Sequence, residues 1–302
     1  MNGAVRVVGA VTAVCTVVAA CRANARGTSE FDGGRAFAYV EQQLAFGPRV
    51  PNTEGHRQMG VWLERELRLR ADTVIVQAFT HGTGRGETLA LRNLLARFQP
   101  EATERVLLLA HWDTRPWADK SANLGQQRLP VPGANDGASG VAVLLGVADA
   151  LKARAPAVGV DLLFVDGEDY GDFSDTTETL IGSRYFARHL PAGYQPLYAV
   201  LFDMVGDKDL EILQEGHSVA YAPEVVQRVW ATAERLRYGR VFVSRVGDSF
   251  TDDHIPLQQV GIRAIDVIDF TYPYHHTTED TIDKVSAASL KIVGDVAVAL
   301  LR

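Results

Sequence analysis

The stretch "LLFVDGEDYGD", residues 162–172, passes from an apolar run directly into a cluster of carboxylates. Four acids follow the run, and two of them, Glu168 and Asp169, are adjacent. Like charges this close repel one another, and one carboxyl group resists ionisation unless a cation lies nearby. These side chains therefore either point into water or surround a cation.

Other segments bring polar groups to the ends of predicted strands. "VLLLAHWD" carries His111, "AVLFDMVGD" carries Asp203, and His275 and His276 follow "IRAIDVIDF". The loop "PVPGANDGASG" adds Asp136 just before a predicted helix. In an open α/β sheet, ligands bind at the carboxyl ends of the strands. Histidine nitrogens and carboxylate oxygens are ligands for zinc, so the pattern predicts a metal site at this edge of the sheet.

Each of these residues also has a structural explanation when it is taken alone. Asp136 stands where an N-cap of the following helix is expected, and Asp203 could pair with a distant arginine. Taken together, these explanations lose weight, because structural acids have no reason to gather at one end of one sheet. A bound dication would let Glu168 and Asp169 coexist as anions. One of them would bind the metal, and its neighbour would remain free for proton transfer.

The segments that position these residues alternate between strand and helix patterns from Arg35 onward. "RVLLLAHWD", "VDLLFVD", "YAVLFDMVG" and "IRAIDVIDF" are apolar runs typical of strands buried on both faces, and predicted helices separate them. "DTVIVQAFT" and "LRNLLARF" flank the Gly-rich turn "HGTGRGE" and predict a hairpin or neighbouring edge strands. We expect one α/β domain over residues 35–302, with a mostly parallel, twisted central sheet flanked by helices.

Composition excludes several classes of protein. The chain has 302 residues, 47% of them hydrophobic, and is therefore long enough to bury a substantial core. Its formal net charge is -7 and it has no basic run, which argues against nucleic acid as a partner. The acidity is neither extreme nor blocky, so the composition does not predict disorder.

The N-terminal sequence predicts an export signal that is not part of the folded domain. A charged start at Arg6 and an apolar stretch ending in small residues predict a signal peptide over residues 1–21. Its end, "VAAC", resembles a bacterial lipobox, in which Cys21 is lipidated; a competing cut after "ANA" would release a soluble protein. Residues 22–34 read as a polar tether. The expectation is an exported periplasmic or cell-envelope protein that contacts the membrane only through the lipid on Cys21.

Six motifs then carry a resemblance to a known family. "AHWDTRPWAD", "GANDGASGVAVLL", "FVDGEDYGD", "LFDMVG", "TDDHIPL" and "HHTTEDTID" occur in the order seen in the zinc-dependent aminopeptidase superfamily. Within it, the chain is most similar to bacterial glutaminyl-peptide cyclotransferases. These proteins share the "HWDTRPWAD" motif and are exported, often as lipoproteins. The resemblance runs from about Phe46 to the C-terminus.

The resemblance implies one zinc ion with three ligands: Asp136, Asp169, at a position where many relatives have Glu, and His276. It implies that Glu168 is the general acid and base, with Asp203 and Asp252 in a hydrogen-bonded acid network beside it. His111 matches a metal ligand of the two-zinc peptidases but lies outside the ligand set of cyclases.

The implied reaction is the cyclisation of an N-terminal glutamine of a peptide or protein to pyroglutamate, with loss of ammonia. Zinc would polarise the side-chain amide carbonyl, and Glu168 would pass a proton from the attacking α-amine to the departing ammonia. The alternative is a two-zinc aminopeptidase, in which His111 and Asp203 would bind a second ion. "TDDHIPL" and "HWDTRPWAD" favour the cyclase. A metal-free binding protein on the same fold ranks last, because no ligand type is missing.

Two further predictions concern the histidine pair and the pocket that would bind the substrate side chain. Animal cyclases have Trp before the ligand histidine, whereas this chain has His275, and the two histidines could exchange roles. A glutaminyl side chain needs a small pocket with aromatic walls and few polar contacts. The candidates for that pocket are Trp112, Phe250, Tyr272 and His275.

Overall fold

The computed structural model describes residues 1–4, 30–173 and 177–302. The predicted signal peptide, with its lipobox and Cys21, falls largely outside the described residues. Within the described part of the chain, no helix is both long and apolar enough to cross a bilayer.

The described residues form eight helices, one short 3₁₀ turn and eight strands. The helices are α1 (Gly33–Leu44), α2 (Glu54–Arg68), α3 (Ala138–Ala153), α4 (Ile181–Arg188), α5 (Gly216–Tyr221), α6 (Pro223–Arg235), α7 (His254–Gln259) and α8 (Ala287–Ala299), and the 3₁₀ turn is Ile282–Lys284. The strands are β1 (Thr73–Gly82), β2 (Thr88–Phe98), β3 (Arg105–His111), β4 (Gly159–Val165), β5 (Tyr198–Asp203), β6 (Ile212–Gln214), β7 (Phe242–Val246) and β8 (Ala264–Ile268).

Six strands build the central sheet in the order β1-β2-β4-β3-β5-β8. β1 and β2 form the predicted antiparallel hairpin, and β2 joins β4 antiparallel. β4, β3, β5 and β8 run parallel to one another. The prediction of one α/β domain with a largely parallel sheet is therefore confirmed, and the two antiparallel pairings on one side make the sheet mixed.

The parallel strands are buried on both faces, which explains their near-continuous apolar sequences. Every residue of β3 is buried. Val106 and Leu108 pack in the larger apolar cluster with α1, α3 and α8, whereas Leu107 and Leu109 pack on the other face with α4 and α7. Packing on both faces fixes these strands, and it therefore fixes the side chains at their carboxyl ends.

Strand register places two of the predicted site residues side by side. Leu109 of β3 pairs with Leu201 of β5, so His111 and Asp203, each two residues further along, end neighbouring strands at the same level. Adjacent strands lie about 4.8 Å apart, which is within reach of a shared ligand or a hydrogen bond between side chains.

The fold begins earlier than the sequence suggested. Phe31 is 2% exposed, and its ring fills the space beside Gly146 and Gly294, where a Cβ atom would collide with it. Asp32 caps α1 with its side chain. The predicted tether over residues 22–34 is therefore too long at its C-terminal end. A single aromatic residue within a Gly-rich segment gave no periodic signal, but two glycines on distant helices make room for it.

Some elements were not predicted. The two-stranded parallel sheet of β6 and β7 and the short helices α5 and α7 have six residues or fewer per element. A segment of this length completes too few periods for an apolar pattern to distinguish strand from helix.

Candidate active site

A cavity of about 410 Å³ opens at the carboxyl ends of β3, β4, β5 and β8. Polar residues and aromatic or aliphatic residues both line it. The polar lining comprises Arg115, Asp119, Lys120, Asp136, Glu168, Asp172, Asp203, Ser249, Thr251, Asp252, His275 and His276, and the apolar lining comprises Phe173, Met204, Phe250, Ile268 and Phe270.

His276 lies close to both of the other predicted metal ligands, but Asp169 is outside the two compact groups that could hold an ion among the described residues, which are Asp136, His275 and His276, and His111, Asp136 and Asp203. The Nε2 atom of His276 lies 3.2 Å from Oδ1 of Asp169 and 3.8 Å from Oδ2 of Asp136. Ligand atoms around a tetrahedral zinc are about 3.3 Å apart. Oδ2 of Asp136 and Oδ2 of Asp169 are buried and have no hydrogen-bond partner. Buried oxygens without partners cost free energy unless something binds them, so this donor set fits a zinc ion.

Of the two histidines, His276 makes the closer approach to the carboxylates. Nε2 of His275 lies 3.9 Å from Oδ2 of Asp136, and its Nδ1 is 2.9 Å from Nζ of Lys120. Asp136, His275 and His276 nevertheless form one group compact enough to hold an ion. His276 is also close to Asp169, which favours it over His275 as the predicted ligand.

The loop before α3 is shaped to present Asp136. The residue that caps α3 is Gly137, not Asp136, so the structural explanation of Asp136 as a helix cap is wrong. Oδ1 of Asp136 lies 3.1 Å from Nε2 of His111. Burial raises the pKa of Asp136, but the hydrogen bond and charge of His111 outweigh burial and hold the pKa below its usual range. Asp136 is therefore an anion, as a metal ligand must be.

Gly137 is required by this loop for two reasons. Its φ is +75°, a left-handed conformation, and a Cβ atom would lie 2.9 Å from both the carbonyl oxygen of Asp113 and Cε1 of His111. We expect Gly137→Ala to destabilise the protein by about 1–3 kcal/mol and to weaken zinc binding, because His111 and Asp136 must shift. Chemical denaturation and zinc titration measure the two effects.

Gly261→Ala is the matched control, since Gly261 has φ +87° and no atom within 4 Å of the added Cβ. It tests backbone strain without a collision. Equal losses of stability and of zinc binding in the two variants would contradict the argument for Gly137.

Asp280 supports the same loop, and the sequence did not single it out. Its two carboxylate oxygens accept hydrogen bonds from the backbone N–H groups of Asn135 (2.8 Å) and Asp136 (3.1 Å) and from the hydroxyl of Tyr272 (2.7 Å). Burial, followed by the charge of Asp136, raises the pKa of Asp280 to about 7. The only sequence signal was its place within "HHTTEDTID".

The raised pKa of Asp280 predicts a pH dependence in zinc-free protein. Its stabilising contribution is fully present below the ordinary pKa of 3.8 and is lost as the pH rises through about 7. A shift of this size corresponds to roughly 4 kcal/mol. We expect Asp280→Asn, which cannot titrate, to show a smaller fall in unfolding free energy than wild type when denaturation is measured from acidic to neutral pH. Parallel curves for the two proteins would refute this prediction.

Glu168 and Asp169 are held through their backbone. Asp113 accepts hydrogen bonds from the N–H of Glu168 at 3.0 Å and from the N–H of Asp169 at 3.2 Å. The side chain of Glu168 lines the cavity, whereas Oδ1 of Asp169 accepts a hydrogen bond from Arg115 at 2.8 Å. Burial raises the pKa of Glu168 well above its ordinary value, His111 opposes the rise, and Asp169 and Asp252 add to it.

His111 bridges two carboxylates at the end of β3. Its Nε2 lies 3.1 Å from Asp136 and 3.2 Å from Asp203, and its Nδ1 lies 3.7 Å from Glu168. His111, Asp136 and Asp203 form a second group that could hold an ion. The distances suit either a hydrogen-bonded imidazole or a second metal ion at that point.

Asp203 and Asp252 lie in the same cavity as Glu168. Burial raises the pKa of Asp203 despite its hydrogen bond to His111. Burial, followed by the charge of Asp203, raises the pKa of Asp252 to about 6. Acids packed this closely hold protons in common, which is the arrangement expected of an acid network.

Two of the four predicted pocket residues do not line the cavity. Trp112 is fully buried, stacks on His56 with the ring centres 4.4 Å apart, and donates its indole N–H to the carbonyl of Arg92. It follows His111 on a strand whose side chains alternate between faces, so it points into the core. Tyr272 is 3% exposed and its hydroxyl is engaged by Asp280.

Phe250 and His275 do line the cavity, and Phe270 joins them. The rings of Phe250 and Phe270 stack with centres 3.7 Å apart, and Phe270 meets His275 edge-on at 5.2 Å. Buried Glu215 accepts a hydrogen bond from the N–H of Phe250 at 3.0 Å and so fixes the segment that carries Phe250 and Asp252. Phe270 lies two residues after the end of β8, but nothing in its sequence context distinguished it from aromatic residues of the core.

The chain is similar to a known protein family and to solved structures. The model for Peptidase family M28 matches residues 93–301. The chain is 37% identical to the crystallised glutaminyl cyclase of Porphyromonas gingivalis, with a TM-score of 0.88 over 91% of this chain and 99% of that one. It is 36% identical to a Zn-dependent exopeptidase of Parabacteroides distasonis, with a TM-score of 0.86 over 90% of this chain and 98% of that one.

A curated relative is more distant. The chain is 25% identical to the aminopeptidase YwaD of Bacillus subtilis over 90% of its own length, and it spans 57% of that protein. The resemblance inferred from the six motifs is confirmed by the family match and by the two solved structures. The order of the motifs, the sheet and the cavity at its carboxyl edge thus place this chain in Peptidase family M28.

Proposed function

We propose that this chain is a zinc-dependent glutaminyl cyclase, which converts the N-terminal glutamine of peptides or proteins to pyroglutamate and releases ammonia. The observation that carries the proposal is the position of Glu168. It lines one small cavity together with the acids Asp203 and Asp252 and the metal-binding group of Asp136 and His276. The similarity to the glutaminyl cyclase of Porphyromonas gingivalis supports it.

Asp136, Asp169 and His276 would hold the zinc ion. When bound there, zinc supplies Lewis acidity toward the side-chain amide carbonyl of the substrate. Two carboxylates and one imidazole leave a coordination position open, as a catalytic site requires.

Glu168 moves the proton in the proposed reaction. Its carboxylate accepts a proton from the α-amine of the substrate as the nitrogen attacks the side-chain amide carbon. The same proton then goes to the amide nitrogen, which leaves as ammonia, and the C–N bond of the lactam replaces the C–N bond of the amide. A raised pKa suits a group that must both accept and donate a proton near neutral pH.

Asp203 and Asp252 orient the leaving amide nitrogen in this scheme. Their raised pKa values keep at least part of this acid pair protonated, so the pair can donate and accept hydrogen bonds. Because the nucleophile and the electrophile belong to one substrate residue, positioning alone contributes strongly to the rate.

The apolar residues that line the cavity suit the aliphatic part of a glutaminyl side chain. The stacked rings of Phe250 and Phe270 form one wall, and Ile268 and Met204 lie beside them. Apolar walls exclude water, which would otherwise compete with the α-amine for the amide carbon.

One observation favours a second candidate, a two-metal aminopeptidase. His111, Asp136 and Asp203 form a buried group of suitable size for another ion. In that function, Glu168 would activate a water molecule rather than relay a proton from the substrate amine.

Product analysis separates the two functions. Purified protein is incubated with glutaminyl peptides and, separately, with aminoacyl chromogenic substrates, and the metal content per chain is measured. We expect ammonia and a cyclised peptide, with one zinc per chain. Release of free amino acids with two metals per chain would instead support the peptidase and refute the cyclase.

We further propose that the protein is exported and anchored by a lipid on Cys21. The support is the apolar segment that ends in "VAAC". We expect wild type to fractionate with membranes and Cys21→Ala to lose its lipid, as measured by mass spectrometry of the mature N-terminus. An unmodified N-terminus at Arg26 in the wild-type protein would show cleavage after "ANA" and contradict the anchor.

A further inference from the structure

We infer that Arg115 is a positioning residue that couples two of the proposed zinc ligands, Asp169 and His276, through Asp119. The inference rests on the zinc assignment in the proposed function. It concerns how the protein holds these ligands before any metal arrives.

The guanidinium of Arg115 is buried, and each of its nitrogens has a defined partner. Nε and Nη2 donate to the two carboxylate oxygens of Asp119, at 2.9 Å and 2.7 Å. Nη1 donates to Oδ1 of Asp169 at 2.8 Å and to the carbonyl oxygen of Gly171 at 2.9 Å. Only a planar, forked cation can hold two carboxylates in this way, whereas a lysine is a point charge.

Asp119, which Arg115 holds in place, lies next to the imidazole of His276. Its Oδ1 lies 3.6 Å from Nδ1 of His276, a buried atom with no hydrogen-bond partner. The backbone N–H of Lys120, the next residue, donates to the carbonyl oxygen of His276 at 3.2 Å. His276 itself has a φ of +57°, which a non-glycine residue keeps only when its surroundings enforce it.

The consequence for His276 is a fixed ring. With Nδ1 directed at Asp119, Nε2 faces Asp169 at 3.2 Å. Both carboxylate oxygens of Asp119 accept hydrogen bonds from the guanidinium of Arg115, as an ionised carboxylate does. An anionic carboxylate beside Nδ1 favours the tautomer with the proton on Nδ1 and the free electron pair on Nε2.

The consequence for Asp169 is a carboxylate with a fixed orientation. Oδ1 is taken by Arg115, while Oδ2 is buried without a partner. Oδ1 is also the oxygen that lies 3.2 Å from Nε2 of His276, so Arg115 fixes the position of the carboxylate oxygen beside the imidazole. Arg115 thus determines how two ligands are presented, although it does not itself bind the metal.

The charge of Arg115 and the geometry of its guanidinium predict different results for Arg115→Lys. A positive charge beside Asp169 opposes a dication, so an effect of charge alone would make zinc binding insensitive to Arg115→Lys. If geometry matters, Arg115→Lys should weaken zinc binding, because lysine keeps the positive charge but lacks the forked guanidinium that binds two carboxylates.

The test is a zinc titration of the purified chain after removal of its metal, in competition with a chromogenic chelator. We expect Arg115→Lys and Asp119→Asn each to weaken zinc binding by roughly 10–100-fold. The double variant should be no weaker than the more affected single variant, because the residues act as one unit. Asp119 is 47% exposed at its side chain, so Asp119→Asn folds even if Arg115→Lys does not.

Arg85→Lys is the matched control, since this exposed arginine lies over the ring of Trp117 and contacts none of the ligands. It should bind zinc like wild type. Wild-type affinity in Arg115→Lys, or strictly additive losses in the double variant, would overturn the inference while leaving the zinc assignment intact. Failure of wild type to bind zinc would overturn both.

Discussion

Replacement of Glu168 by glutamine is expected to lower the rate of pyroglutamate formation by roughly 10²–10⁴-fold while zinc stays bound. Glutamine has nearly the same shape, but it can neither accept the proton of the α-amine nor deliver it to ammonia. The backbone N–H of Glu168 stays anchored to Asp113, so the loop should keep its place. Ammonia release and zinc content, measured on the same preparation, test both halves of this expectation.

Glu87→Gln serves as the control for Glu168→Gln. Glu87 accepts a hydrogen bond from the hydroxyl of Tyr170 at 2.8 Å, close to the loop but not in the cavity. Its variant should retain the wild-type rate. Normal turnover by Glu168→Gln would show that the proton relay is wrong, even if the metal assignment is right.

The second large effect is expected from Asp136→Asn, which should abolish zinc binding and activity together. Asp136 belongs to both groups that could hold an ion, one with His275 and His276 and the other with His111 and Asp203. Loss of an outer partner costs roughly 10–100-fold in metal affinity, so loss of a direct ligand should exceed about 100-fold. Metal analysis and ammonia release measure the two losses.

Asp203→Asn is the informative comparison for Asp136→Asn. Asp203 contacts His111 at 3.2 Å but belongs only to the second group. A cyclase with one ion should keep its zinc in Asp203→Asn and lose rate, whereas a two-metal enzyme should lose one of two ions. Zinc binding by Asp136→Asn at wild-type affinity would contradict the site altogether.

The parallel strands and their carboxyl ends were predictable from sequence, because short, continuous apolar runs are typical of strands buried on both faces of a parallel sheet. β3, β4, β5 and β8 each bury both faces, and β3 and β5 end in the polar residues His111 and Asp203. His111 and Asp203 therefore had to meet at one edge once the strands were parallel and in register. The short strands β6 and β7 carried no comparable signal.

The walls of the cavity were less predictable, because they come from loops. Trp112 and Phe250 are both aromatic and both flank motif residues, yet Trp112 points into the core and Phe250 into the cavity. The direction of Trp112 follows from strand alternation past His111. The direction of Phe250 depends on Glu215, which anchors its backbone from a distant helix cap.

Supporting residues were missed for a related reason. Arg115 and Asp280 lie inside recognised motifs, but their roles depend on contacts with residues far away in sequence. A charged residue near a motif is usually solvated, and only the folded chain reveals that these two are buried and paired.

The position of the metal is the most direct test of the central claim. Crystals of the purified protein, measured on both sides of the zinc absorption edge, should show one anomalous peak within bonding distance of Asp136, Asp169 and His276. A peak bound instead by His111, Asp136 and Asp203, with none at His276, would contradict the account.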